Sequence, residues 1–439
     1  MAASRHSLLT LKLVYLLLAG APLAVAAIGH PHPGRGFLVE LAVGLGFVGF
    51  AMLALQFALT AKFRNISRAL GLDTLLHFHR QVGLIAFGFI LAHLLILVAS
   101  SPAYAAFLDP RVDLFRALAL WSVLLALVAI IVSTLWREQL GIPYPWWRLG
   151  HGLLALAIVF IGLVHILRVG WYVAEPWKQA LWIGTTLVAI GLLVYARVWK
   201  PLRLRNRPWR VAEVRPERGH SWTLAFTPEG HGGGMPFRGG QFIWVELGGS
   251  PFSMDQHPFS ISSGEDRPDR LEVTVKELGD YTATIGQTPP GTRAWLEGPY
   301  GSFTLDREAT HAVFIAGGIG ITPVMSILRT LRGRERRTPC TLVYGVPSLE
   351  RATFREELEE MAPEPWLDLV LVVEKSPDGW PGERGFVTAE LLDRHLPEDD
   401  PGTRYYVCGP DPMMDVAEPY LRERGIPLGR VHSERFNIA

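Results

Sequence analysis

Six apolar stretches within the first 200 residues constrain this chain more than any other feature. They are Leu8–Ile28, Phe37–Ala61, Leu75–Ala99, Leu114–Leu135, Leu149–Leu167 and Ala180–Ala196. Each is near the ~20 residues that a helix needs to cross a hydrocarbon layer of ~30 Å. Buried helices of a soluble bundle would need polar faces, which these lack. The charges divide in the same place. Residues 1–200 hold 15 Lys+Arg and 6 Asp+Glu (+9), residues 201–439 hold 27 and 35 (−8), and the net charge is +1. So small a total gives no footprint for nucleic acid. A charged fraction of 19% excludes a disordered chain. Two cysteines, Cys340 and Cys408, cannot build a disulfide scaffold.

Orientation follows from the basic residues outside the helices and at their ends. With the N-terminus inside, inner segments carry fourteen Lys and Arg and outer segments five. The positive-inside rule then places both termini, and the polar half, on the cytoplasmic side of the plasma (inner) membrane. Ala24-Val25-Ala26 leaves a signal-peptide cleavage site open as an alternative for the first helix.

Histidines carry the chemistry of the membrane half. His79 and His93 lie on the third helix, His151 and His165 on the fifth, and both gaps are 14 residues. Fourteen steps of 100° return to within about 40° of the start after a rise of about 21 Å. Each helix thus presents two imidazoles on one face at two depths. With the helices parallel, His79 matches His151 and His93 matches His165. Paired imidazoles at two levels fit two bis-histidine haems, and ionisable groups in lipid are costly without a function. His77 faces elsewhere and reads as interfacial. His30 and His32 sit in a Pro/Gly-rich outer loop and suit either a plain turn or a metal or acceptor contact. Arg80 and Arg148 either pair with haem propionates or snorkel to the interface. Phe87, Phe89 and Phe160 lie between the two levels and suit either ordinary packing or the passage of electrons.

A basic linker at 200–208 would anchor at the inner lipid surface. The periodicity then becomes β-like over Trp209–Val214, Ser221–Phe226, Gln241–Glu246, Leu271–Lys276 and Arg293–Leu296, which suggests an antiparallel β-barrel. After residue 310 strands and helices alternate: Ala312–Ala316, helix Pro323–Arg332, Thr341–Tyr344, helix Arg351–Met361, Leu367–Val373, helix Thr388–His395, Tyr405–Cys408 and helix Pro412–Arg424. That is the pattern of a doubly wound α/β nucleotide domain.

Three motifs stand out here. His257-Pro258-Phe259-Ser260 sets a possible cation, a ring and a hydroxyl side by side, as gripping a flavin would require. Gly317-Gly318-Ile319-Gly320-Ile321-Thr322 joins a strand to a helix, where backbone can approach a pyrophosphate. Its spacing is not that of the dinucleotide fingerprint, and a structural glycine turn remains open. Cys408-Gly409-Pro410 closes the last strand at the edge where ligands bind in open α/β sheets, and a cysteine that merely packs remains open.

In this order the motifs resemble the ferric reductase/NADPH oxidase family over essentially the whole chain. The resemblance implies a six-helix transmembrane haem domain (1–199), an FAD-binding β-barrel (209–305) and an NAD(P)-binding α/β domain (306–439). It implies haem ligation by His79, His93, His151 and His165, and flavin contact through His257, Pro258, Phe259 and Ser260. It also implies FAD-pyrophosphate contact at Gly279 and Thr282. Nicotinamide-nucleotide contact falls to Gly317, Gly318, Gly320, Thr322, Cys408, Gly409 and Pro410. Phe436 would cover the flavin until nicotinamide displaces it, and Ser260, Cys408 and Phe436 would border hydride transfer. The implied activity is electron transfer from NADPH, or NADH, through FAD and two b-type haems to oxygen, forming superoxide. A ferric chelate, a periplasmic protein or a quinone stay open as acceptors, and so do an anchored flavin reductase and a haem transporter or sensor. Two departures bear on this. Leu97 stands where animal-type oxidases often have another outer histidine. Tyr344–Ser348 offers no arginine for a 2′-phosphate, leaving that contact to Arg351 or Arg384. No obligatory protein partner is implied beyond membrane lipid.

Overall fold

The computed structural model describes residues 5–29, 34–63, 66 and 71–436. Internal contacts divide it into two units, Leu9–Lys62 with Leu75–Pro201, and Leu202–Ala439 with Met1–Leu8 and Phe63–Thr74.

The first unit is built from six long helices: α1 (Arg5–Ala27), α2 (Phe37–Thr60), α3 (Leu72–Ser100), α4 (Leu114–Leu135), α5 (Tyr144–Val169) and α6 (Pro176–Val194). All six are long and apolar enough to span a bilayer. Their outer surfaces carry exposed Leu17, Phe115, Leu125 and Leu187, which only a lipid solvent makes favourable. Local signals set the ends. Asp113 caps α4 by accepting from Arg116 N, Pro176 opens α6, and Gly170 closes α5 at φ 66° with its N–H on Ile166 O. Inside, Phe47 stacks on Trp182 at 5.4 Å and Phe50 meets the same indole edge-on at 5.5 Å. A Cβ at Gly162 would lie 2.6 Å from the Phe50 ring, so glycine there lets α5 approach α2. Buried Lys178 donates to Ile28 O at 2.6 Å and ties the end of α1 to α6. The basic stretch after α6 is helical. A π turn (Tyr195–Trp199) leads into α7 (Lys200–Arg205).

The second unit holds two sheets. The antiparallel one comprises β1 (Trp209–Glu217), β2 (Ser221–Pro228), β3 (Phe242–Leu247), β4 (His257–Ser260), β5 (Leu271–Lys276) and β6 (Arg293–Tyr300), in the order β4-β3-β6-β1-β2-β5. It curls until its edges meet: Ile261 bridges Val273, and Ser262 N donates to Glu272 O at 2.8 Å. Val211, Phe226, Ile243, Leu271 and Leu296 fill the interior. One helical turn, α8 (Asp280–Ala283), follows β5.

The second sheet is wholly parallel: β7 (His311–Gly317), β8 (Cys340–Val346), β9 (Leu367–Val373), β10 (Glu383–Arg384), β11 (Thr403–Cys408) and β12 (Val431–Glu434), in the order β10-β9-β8-β7-β11-β12. Helices α9 (Ile321–Arg332), α10 (Arg355–Met361), α11 (Ala389–His395) and α12 (Asp411–Glu423) complete it. The helix expected from Arg351 begins at Arg355, because Leu349–Arg351 forms a 3₁₀ turn and Phe354 takes φ 62°. Strand order reverses between β7 and β11. The crevice of such a sheet lies at that switch point, and Gly317–Gly320 and Cys408–Pro410 follow those two strands.

The two sheets are joined through α9. Its Ser326 Oγ donates to Ser263 O at 2.7 Å. Its Arg329 donates to Ser262 O at 2.7 Å, forks onto Glu357 at 2.6 and 2.9 Å, and lies over the Phe354 ring at 4.9 Å. The segment continuing from β4 is thereby fixed against the helix that starts at the glycine turn.

Candidate functional site

The structure brings His79 to His151 and sets His93 and His165 in the wall of one cavity. His79 and His151 face each other with ring centroids 6.2 Å apart. Two metal–nitrogen bonds of about 2 Å, with about 1 Å more from each nitrogen to its ring centre, span nearly that distance. The Nδ1 atoms of both are buried without a partner, as is Trp147 Nε1, whose ring lies 5.2 Å from His151. His93 and His165 line one cavity of ≈ 240 Å³. His93 Nδ1 donates to Ala42 O at 2.8 Å, which leaves Nε2 for a ligand, the usual arrangement around a metal-bound imidazole. A Cβ at Gly46 would lie 2.7 Å from that Nδ1, so the missing side chain makes room for the ring. Among the described residues no group of three or more His, Cys, Asp or Glu gathers to hold a bare ion. Paired imidazoles need a macrocycle to complete a coordination shell, so the donor set fits haem.

Other expectations sort plainly. Exposed His77 hydrogen-bonds Gln81 at 2.9 Å. Arg80 is exposed and Arg148 half-buried, Phe160 is largely exposed, and Phe87 packs against the Ala126–Leu127–Ile158 core. His30 and His32 lie outside the described residues. The cavity wall is mostly apolar and includes Leu97, Phe107 and Val123. Arg35 is the charged residue in that wall, and it belongs to a cluster whose aromatic members, Trp171 and Tyr172, sequence reading did not assemble. The Arg35 guanidinium lies over the rings of Trp171 (5.0 Å) and Tyr172 (5.1 Å). Arg35 N donates to Glu40 at 2.9 Å, and the Tyr172 hydroxyl donates to the other Glu40 oxygen. Arg35 Nε is buried without a partner.

On the curled sheet, β4 presents His257, Pro258, Phe259 and Ser260 opposite β3. His257 Nε2 lies 2.9 Å from Asp255, and its ring stacks on Tyr281 at 3.7 Å; Phe259 runs parallel to Tyr281 at 6.5 Å. Ser260 Oγ and Tyr281 OH are buried and unpartnered. A shelf of parallel rings beside unmet hydroxyls fits a flat heteroaromatic cofactor such as FAD. Gly279 and Thr282 are adjacent, but the Thr282 hydroxyl is engaged in its own turn. It accepts from Leu278 N and Gly279 N at 2.9 Å each and donates to Gly279 O at 3.1 Å. Buried Glu246, also unforeseen, has its carboxyl pushed up to about 7 by desolvation.

At the parallel sheet's crevice the glycines do different work. A Cβ at Gly317 would lie 2.7 Å from Pro410, at Gly320 2.3 Å from Cys408 O, and at Gly409 2.9 Å from Gly317 N. These three allow the two loops to touch. Gly318, at φ 53°, faces open space. Thr322 is buried and donates to Ile319 O at 2.9 Å. Cys408 is fully buried, and burial pushes its thiol well above the usual range, with Glu434 adding to the shift. It is a thiol, not a nucleophilic thiolate. Glu434 pairs in register with Cys408, which puts a carboxylate that sequence reading missed on the strand next to the switch point. Phe436 follows, exposed.

These features define a membrane-embedded, nicotinamide-dependent flavin oxidoreductase. Family models agree. The ferric reductase like transmembrane component matches residues 45–162, an FAD-binding domain 232–304 and the oxidoreductase NAD-binding domain 314–418. The chain belongs to the ferric reductase/NADPH oxidase family. It is 30% identical over 225 residues to a probable dihydroorotate dehydrogenase B (NAD(+)) electron transfer subunit of Methanopyrus kandleri, covering 50% of this chain and 76% of that protein. It is 34% identical over 163 residues to NADH-cytochrome b5 reductase 1 of Debaryomyces hansenii, covering 36% and 56%. The chain thus spans little more than half of the latter. Among solved structures, the cytochrome b5 reductase domain of Ulva prolifera nitrate reductase superposes with a TM-score of 0.47 at 19% identity, covering 52% of this chain and 97% of that one.

Proposed function

We propose that the chain carries electrons from cytoplasmic NAD(P)H, by way of FAD and two bis-histidine haems, to oxygen on the outer side of the membrane. The observation that carries this reading is the pairing of His79 with His151, and of His93 with His165, in one helix unit of a chain that also holds FAD and NAD binding domains. When bound, FAD supplies the exchange between a hydride and single electrons, and haem supplies single-electron carriage. The residues hold and orient. Phe259 would pack on the flavin ring, the unpartnered Ser260 hydroxyl would bond to it, and His257 would serve as a possible cation beside it. Gly318 and the N-terminus of α9 receive the dinucleotide pyrophosphate, while Cys408, Gly409, Pro410 and Glu434 frame the nicotinamide. Phe436 covers the flavin between turnovers.

Oxygen as acceptor is supported by the apolar outer cavity, where a charged chelate would lose its hydration. Arg35 would offset the negative charge that develops on reduction. The match to a ferric reductase like component favours a ferric chelate as the second reading. Relatives named for NAD(+) and NADH favour NADH as the second donor. The excess of basic residues on inner segments supports cytoplasmic termini. The test is haem stoichiometry in the purified full chain. Wild type should hold two haems per chain, both reduced by NADPH with FAD. His79→Leu should hold one, reducible by dithionite but not by NADPH. One haem or none in well-folded wild type overturns the reading.

A further inference from the structure

We propose that Arg435 is a positioning residue that latches the flavin-covering Phe436 to helix α12; this rests on the reading of Phe436 as that cover. Arg435 Nη1 lies 2.9 Å from Asp411, and Nη2 lies 3.1 Å from Asp415 and 2.8 Å from Glu418. The three acids sit at i, i+4 and i+7, so they form one stripe along α12. That helix starts directly after Cys408-Gly409-Pro410. Strand β12 ends at Glu434, paired with Cys408, so Arg435 is the first residue beyond the ladder.

Successive side chains of an extended segment point to opposite sides. Glu434 points toward Gly301, where a Cβ would lie 3.6 Å from its carboxylate, and Arg435 turns the other way onto α12. Anchoring Arg435 therefore fixes the direction in which the chain enters Phe436, which is itself exposed. Three carboxylates around one guanidinium repel one another when it leaves, which favours the latched state. The Arg435 side chain is 35% exposed, so salt weakens the latch. Nicotinamide must displace the Phe436 ring, and the latch sets how strongly the ring competes.

Anaerobic stopped-flow reduction of the flavin in the full-length protein tests this, with NADPH and NADH. Arg435→Gln should lower the nucleotide concentration for half-maximal reduction about fivefold, Arg435→Lys should restore much of the competition, and 0.5 M salt should shift wild type toward Arg435→Gln. Phe436→Ala should show the same gain, and Arg435→Gln added to it should change nothing further. A silent Phe436→Ala overturns the cover reading and the latch with it. A responsive Phe436→Ala with a silent Arg435→Gln, or with effects that simply add, overturns the latch alone. Flavin content equal to wild type shows that the variants are folded.

Discussion

Gly46→Ala should cost the chain its outer haem while leaving the inner one. A Cβ at Gly46 would stand 2.7 Å from His93 Nδ1, 3.0 Å from Cε1 and 3.1 Å from Cγ. Ordinary contacts begin near 3.5 Å, so the imidazole must retreat by about 0.8 Å. Its hydrogen bond to Ala42 O, now 2.8 Å, would then pass the ~3.2 Å limit of a useful bond. Ala42 and Gly46 are one turn apart on α2, so the helix that offers the acceptor also offers the space. Loss of an outer-shell partner of this kind lowers metal affinity about 10–100-fold, or about 1.4–2.7 kcal/mol. Haem per chain should fall from two toward one, read by pyridine haemochrome analysis. A redox titration should lose one wave. Alanine favours helix over glycine, so unfolding of α2 is not a competing explanation. Two haems with an unchanged spectrum would refute the argument.

Glu246 gives a pH prediction. It faces Asp255, Tyr281, the Ser253 hydroxyl and Ser250 N–H, and burial raises its pKa from 4.5 to about 7. The folded chain then holds a proton that the unfolded chain releases, so stability falls as pH rises from about 4.5 and levels off above about 7. Glu246→Gln should remove that slope and be the more stable form above pH 7; thermal release of flavin measured from pH 5 to 8 reads it, and parallel curves would exclude the role. Arg35→Ala should slow outer-haem reoxidation by oxygen about 10-fold or more, with flavin reduction intact. An unchanged stopped-flow rate removes Arg35 from the site, and cytochrome c reduction insensitive to superoxide dismutase removes oxygen as acceptor.

The membrane half was legible because lipid permits few solutions. Each span had to be a helix, and a 14-residue gap on two helices leaves little choice about which imidazoles meet. The β7 and β11 turns were legible because glycine and proline mark where backbone must bend. What escaped was set by tertiary pairing. Strand β12 is four residues, Val-His-Ser-Glu, with no apolar alternation, and its existence depends on β11 beside it. Glu434 was missed along with the strand. Arg35 is one of the five outer basic residues, yet Tyr172, which closes its cluster through Glu40, lies 132 residues from that carboxylate. Thr282 looked available to a phosphate because sequence does not reveal that a hydroxyl already caps its own turn.

The depth between the two histidine levels has an electrical consequence. On the proposed route an electron passing from the His79–His151 level to the His93–His165 level moves about 21 Å along helices that cross a layer of ~30 Å. Apart from Arg80, which adjoins His79 at the inner level, no ionisable side chain lies between those levels on α3 or α5 to move a proton with it. Each turnover would therefore separate charge. A full crossing is worth about 2.3 kcal/mol per 100 mV, so this leg is worth about 1.6 kcal/mol per 100 mV. With the cytoplasm negative the field drives the electron outward, and the current discharges the membrane. Sustained turnover would then require a compensating flow of protons or other cations in the same direction, and the rate would follow the membrane potential as well as the nucleotide pool.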